Sequence, residues 1–159
     1  MTIQQLRNAA VRIRDIRGRV DVGVPEGPTE EDGTSLALIA TVNEFGGKGH
    51  VAAGSSRGPR SGIPERPFLR TGIENNLETF KALNLRNLVA VAEGNMDVDT
   101  ALGRLGLAAA SAVQRQITDG GFAPNKPSTI KRKGSSKPLI GISGSLRQSV
   151  TFAVVRGGG

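Results

Sequence analysis

The spacing of apolar residues changes several times along the chain, and each spacing predicts a different element. Between Arg19 and Val24, valines alternate with other residues, a pattern typical of a strand. The acidic stretch Pro25–Gly33 is rich in proline and glycine and predicts a loop. A helix is predicted before the strand, because apolar residues recur there at intervals of three or four: Ile3, Leu6, Ala9 or Ala10, Ile13 and Ile16.

Three further helices are predicted between Leu36 and Ile117. A short apolar helix runs from Leu36 to Phe45, with Thr34 or Ser35 as its N-cap and Gly46-Gly47 as its end. A long helix is predicted to open at Thr71 and to continue to Gly94. Asp97 or Asp99 caps the next helix, which ends before Gly120-Gly121. Its apolar stripe is Leu102, Leu105, Ala109, Val113 and Ile117.

Two segments lack a regular pattern and are predicted to be irregular. Residues 46–62 form a long loop rich in glycine, serine and alanine, and residues 122–148 form an extended basic arm with a turn at Ser143-Gly144. A strand over Ser149–Val155 follows the arm. We therefore predict an α+β fold for a single domain, 1–159: a small, mostly antiparallel sheet with two long helices and a short helix. The loop and the arm are predicted to contact other subunits.

The charges fall into blocks along the sequence. The chain has 159 residues and a net charge of +7, yet residues 20–47 contain six acidic residues and no base. No acidic residue follows Asp119, whereas the tail is basic. Such blocks favour head-to-tail association of unlike surfaces, which closes into rings. They are equally compatible with a basic protein whose charged loops are simply solvated.

The sequence contains little that could support catalysis or hold a cofactor. There are no cysteines, and His50 is the one histidine, in a glycine-rich loop. Glu30, Glu31 and Asp32 match no calcium-loop spacing and are predicted to be a solvated patch. The Gly46–His50 stretch lacks phosphate-loop spacing. We predict that the protein is not an enzyme and binds no metal or cofactor. No apolar run reaches the ~18 residues of a membrane span, and charges interrupt residues 1–19, so a cytoplasmic site of synthesis is expected.

Three motifs, taken in order, resemble a known family. They are Ala40-Thr-Val-Asn-Glu-Phe-Gly46, Ile63-Pro-Glu-Arg-Pro-Phe-Leu69, and Pro124-Asn-Lys-Pro-Ser-Thr-Ile-Lys-Arg-Lys-Gly134 with the following Gly144-Ser-Leu-Arg-Gln-Ser149. The set resembles the tail-completion and head–tail joining proteins of tailed bacteriophages, also called neck or virion morphogenesis proteins. Relatives often carry Asp-Thr before the glycine of the third motif, whereas this chain has Ile142-Ser143 before Gly144.

The resemblance implies a structural virion protein of the head–tail connector. Such a protein would be made in the host cytoplasm and would form a homo-oligomeric ring of six- or twelve-fold symmetry around the DNA ejection channel. Its partners would be neck proteins on the portal, adaptor or stopper side and on the tail-terminator or tail-tube side, with non-specific contact to packaged DNA and no membrane. One alternative is the hexameric tail terminator, which caps the tail tube; another is a basic, non-specific DNA-binding accessory protein.

The candidate residues follow from the motifs and from the positive charges. Glu44 and Phe45 are predicted to cap the short helix and to pack it on the sheet. Phe68 is either an intersubunit anchor or a residue of its own subunit's core. The candidates for the subunit interface are Glu44, Phe45, Arg66, Phe68, Lys131, Arg132, Lys133, Leu146 and Arg147. The candidates for a DNA channel are Lys48, Arg57, Arg60, Lys131, Arg132 and Lys133.

Overall fold

The computed structural model describes residues 2–14, 16–47, 62–141 and 144–157, with the backbone alone at 132 and 133. Within these ranges the elements confirm the α+β class, because helices accompany a two-stranded antiparallel sheet. In chain order they are α1 (Ile3–Arg14), β1 (Gly18–Gly23), α2 (Leu36–Phe45), α3 (Phe68–Glu74), α4 (Leu77–Glu93), α5 (Val98–Asp119), α6 (Pro127–Lys133), α7 (Ser145–Ser149) and β2 (Thr151–Arg156).

The chain divides into two compact units, and neither unit is a contiguous stretch of sequence. The first comprises Met1–Gly23, Ile73–Ala112 and Thr151–Gly159, and the second comprises Val24–Gly72 and Val113–Val150. Helix α5 contributes residues to both. The single domain predicted from the sequence stays a prediction.

The first unit contains the strands β1 and β2, helices α1 and α4, and the first part of α5. Strands β1 and β2 pair antiparallel, with Val20 opposite Val154 and Val22 opposite Phe152. These four side chains are half-buried, as the alternation predicted. Helix α1 packs on α4, and the Arg12 Nη1 atom donates to the carbonyl of Ala92 at 3.1 Å, near the end of α4.

The second unit has an aliphatic core in which Phe68 is the buried aromatic residue. Helix α2 packs against α7. The Gln114 side chain donates to the carbonyl of Val150, the residue between α7 and β2, at 3.1 Å. The buried apolar side chains of this unit are Leu36, Phe68, Val113, Ile117, Leu139, Leu146 and Val150.

Most predicted helix ends are confirmed. Helix α2 begins after Ser35, whose hydroxyl accepts from the Leu38 N–H, and it ends at Gly46 with φ 75°. Asp97 caps α5 by accepting from the Thr100 N–H at 2.8 Å. The start predicted at Thr71 is wrong. Helix α3 begins at Phe68, and α4 begins separately at Leu77, because the chain leaves helical geometry around Asn76 (ψ 9°).

The prediction of an extended basic arm is also wrong. Residues 122–148 contain α6 and α7, and the side chains of Asn125, Leu139 and Leu146 are buried in the second unit. Pro127 occupies the first turn of α6, where a missing N–H is tolerated, and Gly134 ends the helix with φ 66°. The arm therefore folds onto its own chain over these residues, and its contact with other subunits stays a prediction.

Candidate functional site

The first two motifs of the sequence analysis, residues 40–46 and 63–69, meet in space. We call the structure that they form the α2–α3 junction (residues 43–47 and 63–70). The N–H of Gly47 donates to the carbonyl of Ile63 at 2.9 Å, and the N–H of Ile63 donates back to Gly47 at 2.8 Å. The Arg66 N–H donates to the carbonyl of Asn43 at 2.6 Å. The chain leaving α2 and the chain entering α3 are thus held side by side by backbone hydrogen bonds.

Glu44 fixes the junction by capping the following helix. Its Oε2 atom accepts from the Leu69 N–H at 2.9 Å, and its Oε1 atom accepts from the Arg70 N–H at 3.1 Å. Glu44 as a residue is 5% exposed. Helix N-termini have unpaired donors and a partial positive charge, so a carboxylate is favoured there. The expectation that Glu44 caps its own helix, α2, is wrong: its carboxylate caps α3.

Arg66 lies half-buried at the same junction with part of its hydrogen-bonding capacity unused. Its Nη1 atom donates to the Asn43 Oδ1 atom at 3.0 Å, whereas its buried Nε atom has no partner. Burial lowers the pKa of Arg66. An unsatisfied buried donor is unfavourable by about 1–3 kcal/mol, and a partner that supplied an acceptor would remove this penalty.

Phe45 is exposed, although it was predicted to pack α2 on the sheet. Its side chain is 66% exposed, and that of Leu38, on the same helix face, is 57% exposed. The core face of α2 instead carries Leu36 and Glu44. Two large apolar side chains on the outer face of a ten-residue helix are a candidate contact surface.

The third motif is built around Asn125. Its N–H donates to the carbonyl of Ser136 at 2.9 Å, and its side-chain amide donates to the carbonyls of Ser135 and Lys137 at 3.2 and 3.3 Å. The residue is 9% exposed. The Lys137 ammonium donates to the carbonyl of Thr118 at 3.0 Å, near the carboxyl end of α5, where a cation is favoured. Asn125 thus closes the turn that carries the basic segment back to α5.

The candidate residues fall into three groups. Phe68 and Leu146 are 1% and 4% exposed, so they lie in the core of their own chain. Phe45, Lys131 and Arg147 are exposed and available for contacts. Lys48, Arg57 and Arg60, together with His50 and the side chains of Arg132 and Lys133, lie outside the described residues.

Sequence reasoning missed two polar contacts that organise the second unit. One is the Asn125 turn, for which an asparagine between prolines in a turn-forming segment was the available signal. The other joins the acidic loop to the third motif, since the Ser145 hydroxyl donates to the Glu30 Oε2 atom at 3.2 Å. No local pattern marks a pair separated by 115 positions.

Comparisons with family models, with curated proteins and with solved structures found no match for this chain. Among the described residues, no group of three or more His, Cys, Asp or Glu side chains is placed to hold a metal ion. None of the helices in the described part of the chain is both long and apolar enough to cross a membrane.

Proposed function

We propose that the chain is a structural subunit of the head–tail connector of a tailed bacteriophage, where it forms a homo-oligomeric ring around the DNA channel. The observation that carries the proposal is the α2–α3 junction. Two motifs that resemble neck proteins separately are joined here by the Gly47–Ile63 bridge and by the Glu44 cap. Motifs that meet in one structure support a shared role better than separate short matches do.

The surface of the chain supports a role in assembly. Among the described residues, twelve large apolar side chains are exposed, whereas nine are buried. Single exposed apolar residues are common, but several on one helix face indicate an interaction surface. Subunits that bury such faces against their neighbours gain about 25 cal/mol per Å² of apolar surface. A protein with this distribution is suited to work inside an assembly.

The positive charge of the carboxyl-terminal segment supports a position near DNA. Lys131 is exposed on α6, and residues 120–159 contain seven bases and no acid. Lysine and arginine contact phosphates without reading sequence. A channel that DNA must leave quickly needs such scattered contacts.

Locating the chain in particles tests the proposal. We expect gold-labelled antibody against the chain to decorate the head–tail junction of particles produced from the genome that encodes it. Deleting the gene should yield DNA-filled heads and unattached tails. Label at the end of the tail tube in tails that lack a head would favour a tail terminator. Absence from all particles, together with tight duplex binding by the monomer and a steep salt dependence, would favour the DNA-binding accessory protein.

A further inference from the structure

Helix α1 presents an apolar stripe to solvent with Arg7 along one edge. No residue of this helix is buried. On a helical projection Ile3, Leu6 and Ile13 share one face, and their side chains are 72%, 54% and 49% exposed. Arg7 borders the stripe, and Arg17 follows the helix; both are exposed. We call these five residues the basic helix surface.

Helix α2 presents a similar stripe in an acidic setting. Leu38, Thr41 and Phe45 lie on one face and are exposed, opposite the buried Leu36. Glu31 and Asp32 precede the helix and are also exposed. Two hydrogen bonds from Thr34 lower the pKa of Asp32. We call Glu31, Asp32, Leu38, Thr41 and Phe45 the acidic helix surface.

We propose that the basic helix surface of one copy of this chain docks on the acidic helix surface of the next copy. The charges are complementary, because residues 20–47 contain no base and α1 contains no acid. The lengths also match: twelve and ten helical residues span about 18 and about 15 Å. The two surfaces differ, so the contact is head-to-tail and can propagate into a ring.

The charges also fix the direction of the two helices. The acids lie at the amino end of α2, and Arg17 lies beyond the carboxyl end of α1. Bringing these charges together makes the helices antiparallel, which also opposes their dipoles favourably. Ile13 then lies beside Leu38 of the next copy, and Leu6 lies beside Phe45, because each pair of positions is seven residues apart on its helix. The proposal deepens the proposed function by naming the surfaces that close the ring.

A charge-exchange experiment in solution tests the contact. One variant carries Arg7→Glu and Arg17→Glu, and the other carries Glu31→Lys and Asp32→Lys. In the antiparallel arrangement Arg17 faces these acids, so each variant alone opposes like charges at that end of the contact. We expect its self-association in sedimentation velocity to weaken on the order of 10²-fold. An equimolar mixture restores opposite charges at every contact and should recover association. A mixture that stays as weak as its components overturns the proposal.

A matched control separates the specific contact from net charge. Arg104→Glu with Arg115→Glu makes the same change in net charge on exposed α5 positions. This variant should associate as the wild type does. Loss of association equal to that of the Arg7 and Arg17 variant would show a net-charge effect only and would overturn the proposal.

Engineered cysteines test the direction, because the natural chain has none. Ile13→Cys with Leu38→Cys, and Leu6→Cys with Phe45→Cys, should each oxidise to a ladder of covalent oligomers. Ile3→Cys with Leu38→Cys joins helix ends that lie apart and should give little product. Dimers from a single Ile13→Cys variant at comparable yield would show a symmetric α1–α1 contact. A wild type that stays monomeric in sedimentation velocity, together with paired cysteine variants that give no ladder, would show no contact. Either result overturns the proposal.

The outcomes for this contact and for the neck function can be told apart. Association in solution with absence from particles would reject the neck function and keep the contact. Presence at the head–tail junction with no recovery in the charge-exchange mixture would keep the neck function and reject the contact. Flotation with vesicles of anionic lipid tests a membrane surface as the occupant of α1 instead. Vesicle binding lost in the Arg7 and Arg17 variant, with no self-association, would assign α1 to membranes and overturn the proposal.

Discussion

At the scale of single residues, carboxylates cap the amino ends of α3 and α5. Glu44 reaches α3 from a different helix, whereas Asp97 caps α5 from the adjacent position. Sequence spacing revealed the second cap but could not reveal the first, because 25 positions separate Glu44 from Leu69. Both caps supply acceptors for backbone donors that helix geometry leaves unpaired.

Replacing Glu44 tests the buried cap. Glu44→Ala leaves the N–H groups of Leu69 and Arg70 without acceptors in a buried place, so we expect a loss of about 2–4 kcal/mol in the free energy of unfolding. Glu44→Gln keeps one acceptor and should lose less. Urea denaturation measures both. The exposed Glu78→Ala is the control, since its surface pair with Lys81 is worth at most about 1 kcal/mol. Equal effects of Glu44→Ala and Glu78→Ala would contradict the cap.

The cap at Asp97 predicts a particular dependence of stability on pH. Hydrogen bonds from the Thr100 side chain, and then from its backbone, lower the pKa of Asp97 in the folded state. The cap therefore stabilises fully above the unfolded pKa of about 3.9 and loses its effect as pH falls through the lower folded value. We expect Asp97→Ala to reduce the urea midpoint at neutral pH. The gap to wild type should shrink below about pH 4; a gap that stays constant down to acid unfolding would contradict this account.

At the scale of elements, the first part of α5 lies against β2. A Cβ on Gly106 would overlap the ring of Phe152, so β2 approaches the helix closely at that point. A Cβ on Gly103, one turn earlier, would meet nothing within 4 Å. These two glycines therefore differ in role although they share one helix.

Alanine at each glycine tests the packing of β2 on α5. Gly106→Ala forces the ring of Phe152 to move and should lower the free energy of unfolding by about 1–3 kcal/mol. Gly103→Ala should raise it by up to about 1 kcal/mol, because alanine is the better helix former. Thermal and urea unfolding give both values in the same helix. If both substitutions stabilise the protein, the close approach of Phe152 is refuted.

Periodicity predicted the elements that bury one long apolar face, and it failed where the core is assembled from short pieces. Helices α1, α2 and α5 and strand β1 were recognisable because their apolar spacing persists over several residues. Helices α6 and α7 have seven and five residues, too few for a periodic signal, and α6 carries one large apolar residue, Ile130. At the candidate site, two of the motifs contain residues that meet at the α2–α3 junction. The partner of Glu44 and the burial of Phe68 depend on tertiary contacts that no local pattern contains.

At the scale of the whole molecule, the carboxyl-terminal segment is basic even though it is folded rather than extended. The segment around α6 folds on its own chain, yet Lys131 stays exposed and no acid follows Asp119. Deleting residues 123–159 would also remove β2, which pairs with β1, and the buried side chains of Leu139 and Val150. Substitution of charges is therefore a sharper test of the segment than truncation.

Reversal of Lys131, Arg132 and Lys133 to Glu tests whether this cluster meets DNA or a neighbouring subunit. The bases lie in the last turn of α6, where cations are favoured by up to about 1 kcal/mol each, so the fold should survive their reversal at moderate cost. If they line a DNA channel, the variant should enter particles that then package or eject DNA poorly. If they bind a neighbour, the variant should be missing from particles.

Reversal of Arg86, Arg104 and Arg115 is the control, because it makes the same change in charge on exposed positions of α4 and α5. It should leave infectivity near normal. Full infectivity of the α6 variant would place the cluster in solvent, and the basic tail would then have to act through Lys126, Lys137 or Arg147.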